Sequence, residues 1–514
     1  MNGIDLYSGI GGWTMGMKLS NVKNLQSYEW NKESNSTHNL NFNSNLKEVD
    51  IRKLKLTDLP SPKVVDFVVG SPPCTQFSFS NRGGGGDISD GLVDIYKFLE
   101  IVDYLKPKYW VMENVPRVKS IIDFLINNDK KFKKFKKLIS FNEIIDTSDY
   151  SVPQKRKRMI CGNFPYELFL SYKSVLGNKN LGDVITSLRN NTITDINYDL
   201  TISKESLTDH NKENFLDSQE KRINKENKTF HPIYNGMSFP DSLKRPSRTI
   251  TSTCTRVSRE SIVIQDGKKF RRLTLREKGC IQGFPITFQF YGNTHSNKQK
   301  MIGNSIPPIL TYYLFQSMLN TKKKDLILVE NISNFKFEIP SELPKSTPYK
   351  KPKRNYRLDR SFKFAIPRLR FGSGIRFEFS NTSNKKDWTV KFYYGNSKNI
   401  QELKLNNYTL NFINEYFDLD RENIFNKNSN LLNLNSFKLQ NSWSNMSQDY
   451  DNFKILDDIG RVSSKTIKLL KKEKIDLNIL HKILPPPHNK KLDDDLETVL
   501  AGIYIGSIIN TQIT

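Results

Sequence analysis

Val64-Val65-Asp66-Phe67-Val68-Val69-Gly70-Ser71-Pro72-Pro73-Cys74 sets the architecture of this chain. An apolar run this short, closed by a glycine and two prolines, suits a strand buried on both faces. Upstream, Ile4-Asp5-Leu6-Tyr7 ends the same way, in Ser8-Gly9-Ile10-Gly11-Gly12. Downstream, Tyr109-Trp110-Val111-Met112 ends at Glu113-Asn114-Val115. Helix-like spacers separate the three runs. The pattern predicts parallel strands in a doubly wound α/β sheet, in which ligands gather beyond the carboxyl ends of the strands. All three runs place their polar and glycine residues at that end.

The chain has 514 residues, enough for two or three domains. A hydrophobic fraction of 37% allows a sizeable core, and the mean hydropathy of −0.57 describes a soluble protein. No stretch approaches the ~20 apolar residues needed to cross a bilayer. The first residues, Met1 to Leu6, lack a signal-peptide pattern. Four cysteines without a Cys-x-x-Cys pair argue against disulfides or a zinc site, so no metal is expected and an intracellular setting is. A formal charge of +25 favours a polyanionic partner such as nucleic acid, although a Lys- and Asn-rich composition also serves solubility.

Four further features suggest chemistry. The strand feeding Gly9-Ile10-Gly11-Gly12 lets backbone approach a cofactor, or is simply a glycine turn; Thr14 breaks the dinucleotide fingerprint. Glu29, between Tyr28 and Trp30, stands where an acid at a second strand end meets ribose hydroxyls, with an aromatic ring for adenine, unless it is a surface Glu beside a core Trp. Pro72-Pro73 would present Cys74 in a rigid turn, as a nucleophile needing a lowered pKa or a nearby base. Glu113 at the third strand end can act as a proton donor if partly desolvated, and Arg156 and Arg158 alternate on one face of an extended segment.

In order along the chain, Asp5-Leu6-Tyr7-Ser8-Gly9-Ile10-Gly11-Gly12, Pro72-Pro73-Cys74, Glu113-Asn114-Val115, Gln154-x-Arg156-x-Arg158, Arg272-Leu273-Thr274-x-Arg276-Glu277 with Gln282-Gly283-Phe284-Pro285, and Gly303-Asn304-Ser305-Ile306-Pro307-Pro308 resemble the motif series of cytosine-5 DNA methyltransferases. The resemblance covers about residues 3–319. It implies a Rossmann-like, mostly parallel sheet of seven strands with one antiparallel, plus a small recognition region. It implies S-adenosyl-L-methionine as methyl donor, bound by Asp5, Tyr7, Gly9, Gly11, Gly12 and Pro72. Glu29 would take the ribose, Trp30 would lie near the adenine, Asp50 and Ile51 resemble the next adenine contact, and Asn304 and Ser305 come from a late motif folded back beside the first strand.

The same resemblance assigns the reaction. Cys74 adds to cytosine carbon 6, Glu113 hydrogen-bonds ring nitrogen 3 and the amine, Arg156 contacts the carbonyl oxygen and Arg158 organises the pocket. Carbon 5 then takes the sulfonium methyl. The target base must be flipped out of double-stranded DNA, with the Asn81–Asp87 glycine loop closing over it. Thr75 and Tyr7 depart from the residues usual in the family. A monomer is expected, with a restriction–modification role and a cognate endonuclease as its setting. The tRNA branch of the family and a non-catalytic DNA-binding module are the alternatives.

The expected domains are 1–165 catalytic, 166–270 a short target-recognition region, 271–320 the return to the catalytic domain, 321–354 a linker, and 355–514 an α+β accessory domain. In the last, Arg357, Arg360, Lys363, Arg368, Arg370 and Arg376 interleave with Phe362, Phe364, Phe371, Phe377 and Phe379, a mix suited to DNA binding. Glu378, Asp387 and Lys391 offer a weaker nuclease reading, and Leu456-Asp457-Asp458-Ile459-Gly460 before a helix suggests a hairpin that grips a DNA backbone.

Overall fold

A computed structural model of the protein describes residues 1–74, 76–77, 88–229, 237–333, 335–350, 361–370, 376–381, 388–396, 399–425, 431, 439–441, 454–484 and 490–513. Thr75, the Asn81–Asp87 loop, Arg357, Arg360, Phe371 and Asp387 lie outside the described residues. Two compact units are formed, one from residues 1–225 and 238–349, the other from 226–237 and 350–514.

The first unit is built on a sheet of β1 (Asn2–Leu6), β2 (Lys23–Tyr28), β3 (Phe67–Gly70), β4 (Tyr109–Asn114), β5 (Phe141–Asp146) and β6 (Lys157–Asn163). Their order is β2-β1-β3-β4-β6-β5. β6 alone runs antiparallel, against both β4 and β5. Helices α1 (Gly12–Leu19), α2 (Lys32–Phe42), α3 (Ser89–Leu105) and α4 (Arg117–Asn128) fill the connections. Both faces are covered, which is why β3 reads as an unbroken apolar run: Phe67 and Val69 belong to one core cluster, Val68 to the other. The chain reverses its direction of travel between β1 and β3, and the carboxyl ends there form the crevice where a doubly wound sheet binds its ligand.

This sheet has six strands among the described residues instead of seven. The place beside β2 is taken by a single parallel bridge, Glu29 to Glu48. Asp50 ends it by capping a helical turn over Ile51–Lys53, which takes the chain out of extended geometry before a ladder can grow.

Residues 321–349, expected as linker, pack on the first unit. Val329 is buried and its N–H donates to the Tyr313 hydroxyl. Tyr349 lies over the Arg272 guanidinium, 4.4 Å from ring centroid to charge centre.

The second unit has a four-stranded antiparallel meander, Lys363–Arg370, Arg376–Asn381, Trp388–Asn396 and Asn399–Leu403, with helices Lys454–Leu470 and Leu496–Ile508. Phe362, Phe377, Phe379 and Phe392 are in its core. Leu456–Gly460 is no hairpin: all five residues lie inside the helix Lys454–Leu470, where Gly460 packs against Pro367. No helix of the described residues is long and apolar enough to cross a membrane.

Candidate active site

β3 delivers Cys74 through a turn pinned on three sides. Ser71 N–H donates to the Leu6 carbonyl at 3.2 Å, tying the turn to β1. Trp13 Nε1 on α1 donates to Ser71 Oγ at 3.0 Å. Asn114, at the end of β4, donates from Nδ2 to the Pro72 carbonyl at 3.1 Å. With φ fixed at both prolines, little freedom is left to the cysteine that follows.

Around that half-buried thiol stand Glu113 from β4 and Arg158 from β6, paired at 2.8 Å between Oε1 and Nε. Burial pushes the Cys74 thiol up; the Arg158 charge pulls it down, Glu113 raises it, and Arg156 lowers it again. At rest the thiol is therefore protonated, and the two nearest charges oppose each other.

Arg156 behaves differently from expectation. It precedes the first residue of β6, so its side chain leaves the strand ladder and is buried completely. Nη1 donates to the Ile250 carbonyl at 2.9 Å, and Nη2 to the Gly303 and Ser305 carbonyls at 2.8 and 3.3 Å. Both terminal nitrogens are held by backbone carbonyls, while Arg158 pairs with Glu113. Burial and the neighbouring Arg158 charge lower the Arg156 guanidinium to about 9, so it stays cationic at neutral pH.

A residue whose role sequence reasoning left unassigned completes this frame. Gln282 Oε1 accepts from Gln154 Nε2 at 2.7 Å, and its own Nε2 donates to the Ser305 carbonyl. Gln154 Oε1 in turn accepts from Ile250 N–H at 2.8 Å. Gln282 stands in the quoted Gln-Gly-Phe-Pro motif; only its contacts with Gln154 and Ser305 reveal what it does.

On the other side of the crevice the glycine turn leads into α1. Glu29 is buried and accepts three backbone N–H bonds, from Gly9 at 2.9 Å, Trp30 at 2.9 Å and Asn31 at 2.8 Å. Burial raises its pKa against these three bonds, so the carboxylate shapes the turn from below. Gly9 (φ +55) has open space where a Cβ would stand, whereas a Cβ at Gly12 would lie 2.3 Å from the Ile306 carbonyl oxygen. Gly11 N–H donates to Ser8 O and closes the turn. Trp30 is 65% exposed. Thr311 Oγ1 donates to the Gly12 carbonyl at 2.8 Å, tying the helix Pro308–Met318 to the start of α1.

The remaining expected residues divide. Asp5 is fully buried, with Oδ2 accepting from Thr14 Oγ1 at 2.9 Å; burial lifts its pKa well above the carboxylate range. It supports the turn from inside the core and does not line the crevice. Tyr7, at φ 57, donates its hydroxyl to Asp94 on α3 at 3.2 Å. Asp50 is exposed and Ile51 buried; Asn304 is exposed, while Ser305 Oγ is turned back to the Ile302 carbonyl.

The family described as C-5 cytosine-specific DNA methylase matches residues 1–320. The chain belongs to it. This methylase is 25% identical to the type II methyltransferase M.FnuDI of Fusobacterium nucleatum, over 62% of its own length and 94% of that protein's. It is 29% identical to type II methyltransferase M.HindV of Haemophilus influenzae, over 63% and 99%. The crystal structure of the S. pombe Dnmt2 methyltransferase superposes on 62% of the methylase and 98% of that chain, with 16% identity and a TM-score of 0.44. Residues beyond 320 lie outside the family match.

Proposed function

We propose that this DNA cytosine-5 methyltransferase forms a covalent adduct between Cys74 and carbon 6 of a flipped cytosine in double-stranded DNA, with S-adenosylmethionine as methyl donor. The observation that carries the reading is the Cys74 thiol held on a pinned turn beside the Glu113–Arg158 pair. Cytosine carbon 5 is a poor nucleophile until a thiolate adds at carbon 6. In the free site the Glu113 charge opposes that thiolate and Arg158 favours it. The Cys74 proton would pass by way of Glu113 to cytosine ring nitrogen 3, cancelling the opposing charge during addition and leaving Arg158 to stabilise the thiolate. Arg158, and not Arg156, is then the group for the cytosine carbonyl oxygen. Loss of the carbon 5 proton to water, expulsion of the Cys74 thiolate and return of the nitrogen 3 proton would restore the thiol.

The open side of Gly9, the buried Glu29 and the exposed Trp30 fit an adenosyl amino acid, with Ile51 packed behind them. S-adenosylmethionine bound there supplies an electrophilic methyl group.

For residues beyond 350 we propose DNA binding, on a surface other than the one the sequence offers. Arg376 is paired with Glu378 at 2.8 Å and lies over Tyr393. The helix Lys454–Leu470 instead exposes Lys454, Lys465 and Lys468 along one stripe, with Arg461 between them paired to Asp458. A nuclease reading gains nothing, since Lys391 pairs with Glu402 at 3.6 Å and Glu378 with Arg376. A cognate endonuclease in a restriction–modification setting is what the type II names of its relatives favour, and we propose that the enzyme acts as a monomer.

Labelled S-adenosylmethionine offered with duplex DNA or with tRNA tests the substrate: transfer to tRNA alone would move the reading to that class, and transfer to neither would favour a binding module. Cys74→Ser is expected to abolish transfer and the adduct with 5-fluorocytosine DNA while cofactor binding survives. Retained activity would identify another nucleophile.

A further inference from the structure

The connection from α4 to β5 reads Lys130-Lys131-Phe132-Lys133-Lys134-Phe135-Lys136-Lys137, six lysines in eight residues. Its two phenylalanines are buried and meet Tyr96 of α3 edge-on, at centroid distances of 5.6 and 5.3 Å. Asp129 fixes the entry, its carboxylate accepting from the backbone N–H of Lys131 at 2.8 Å and of Phe132 at 3.1 Å. The segment is thus a rigid mount, and all six lysines are exposed on it.

One of them is committed: Lys134 lies over the Tyr96 and Phe135 rings at 5.0 and 4.8 Å, in the field of Glu100 and Asp103. Lys130, Lys131, Lys133, Lys136 and Lys137 have no carboxylate partner among the described residues. Exposed Lys106 and Lys108, just before β4, add charge to the same edge. A surface evolved only for solubility mixes signs, because fixed like charges repel.

The position excludes the catalytic crevice as their object. α4 starts at the carboxyl end of β4 and runs back, so this segment lies where β4 and β5 begin. Cys74 lies at the opposite edge.

We propose that this edge is a second, sequence-independent binding surface for duplex DNA backbone, able to hold a DNA segment other than the one entering the crevice. It rests on the reading of DNA as substrate only for the choice of polyanion. Lysines act as point charges on phosphates, and each phosphate neutralised steepens the salt dependence of binding by about 0.9 in the log–log slope.

The test uses the full-length chain, a duplex of A·T pairs only, which offers no cytosine, and anisotropy titrations across a salt series. K131Q/K133Q/K136Q/K137Q should bind this duplex more weakly, with a slope shallower by about 3 to 4, and the four-arginine counterpart should restore it. Methyl transfer to a short cytosine-containing duplex should be unchanged in the glutamine variant, which also reports that it folds. An unchanged slope overturns the proposal. So does a slope lost only for single-stranded RNA, which would make RNA the partner. Absence of methyl transfer in the unmodified protein would count against the proposed reaction and leave the slope comparison intact.

Discussion

At Cys74 the sequence offered a candidate nucleophile, and the charges that act on it come from Glu113 on β4 and Arg158 on β6. Burial and Glu113 hold the thiol up while Arg158 pulls it down, so thiolate accumulates as pH rises through and beyond the ordinary thiol range. The rate of iodoacetamide labelling at Cys74 should accordingly keep climbing past pH 9, without a plateau near neutrality. Glu113→Gln removes a charge that raises the thiol and frees Arg158, so labelling at pH 8 should become faster. Methyl transfer in the same variant should fall by about 10²- to 10⁴-fold. Labelling and catalysis moving in the same direction would refute this division of roles. Arg156→Lys tests the neighbouring position: a lysine cannot span the carbonyls of Ile250, Gly303 and Ser305, and urea unfolding should report a loss of about 3 kcal/mol. Sequence placed both arginines on one face; it could not say that one is spent inside the protein.

The glycine turn shows what an element adds. Gly9 and Gly12 look equivalent in the sequence, yet one borders open space and the other touches the Ile306 carbonyl. Gly12→Ala should force α1 away from that turn and lower stability by about 1–3 kcal/mol, seen by urea unfolding. Gly9→Ala should cost about 1–2 kcal/mol for its left-handed backbone and still fold. Its larger effect should be loss of S-adenosylmethionine affinity by calorimetry; unchanged affinity would place the cofactor elsewhere. Three strand ends were legible because buried strands are short apolar runs between turn residues. The missing seventh strand was not, since it depends on Asp50 starting a helical turn right after a single bridge. The Leu456–Gly460 stretch misled for a similar reason: a glycine signals a turn in sequence, but here it provides close packing against Pro367 within a helix.

At the scale of the molecule, the proline-rich stretch after residue 320 is a strap and not a free linker. The Lys345 carbonyl and Asp209 both accept from Lys298 Nζ, at 2.8 and 2.6 Å, and Thr347 N–H donates to Asp209 at 3.0 Å. Removing residues 351–514 should leave the first unit folded with weaker DNA binding. Removing 340–514 should in addition expose the Lys298–Asp209 pair, which has 0% side-chain exposure on both partners, and lower the melting midpoint by about 5 °C or more. Equal midpoints for the two truncations would show that the strap contributes nothing.

The sequence by itself determined the doubly wound fold class and the motif order, because these depend on local apolar runs, turn residues and side-chain chemistry. Only the tertiary structure decided which arginine is held by backbone carbonyls and which pairs with Glu113, which glycine is cramped and where the six lysines point. Those outcomes depend on residues brought together from tens to hundreds of positions apart. Burial and charge act through space, and a linear pattern carries no distances.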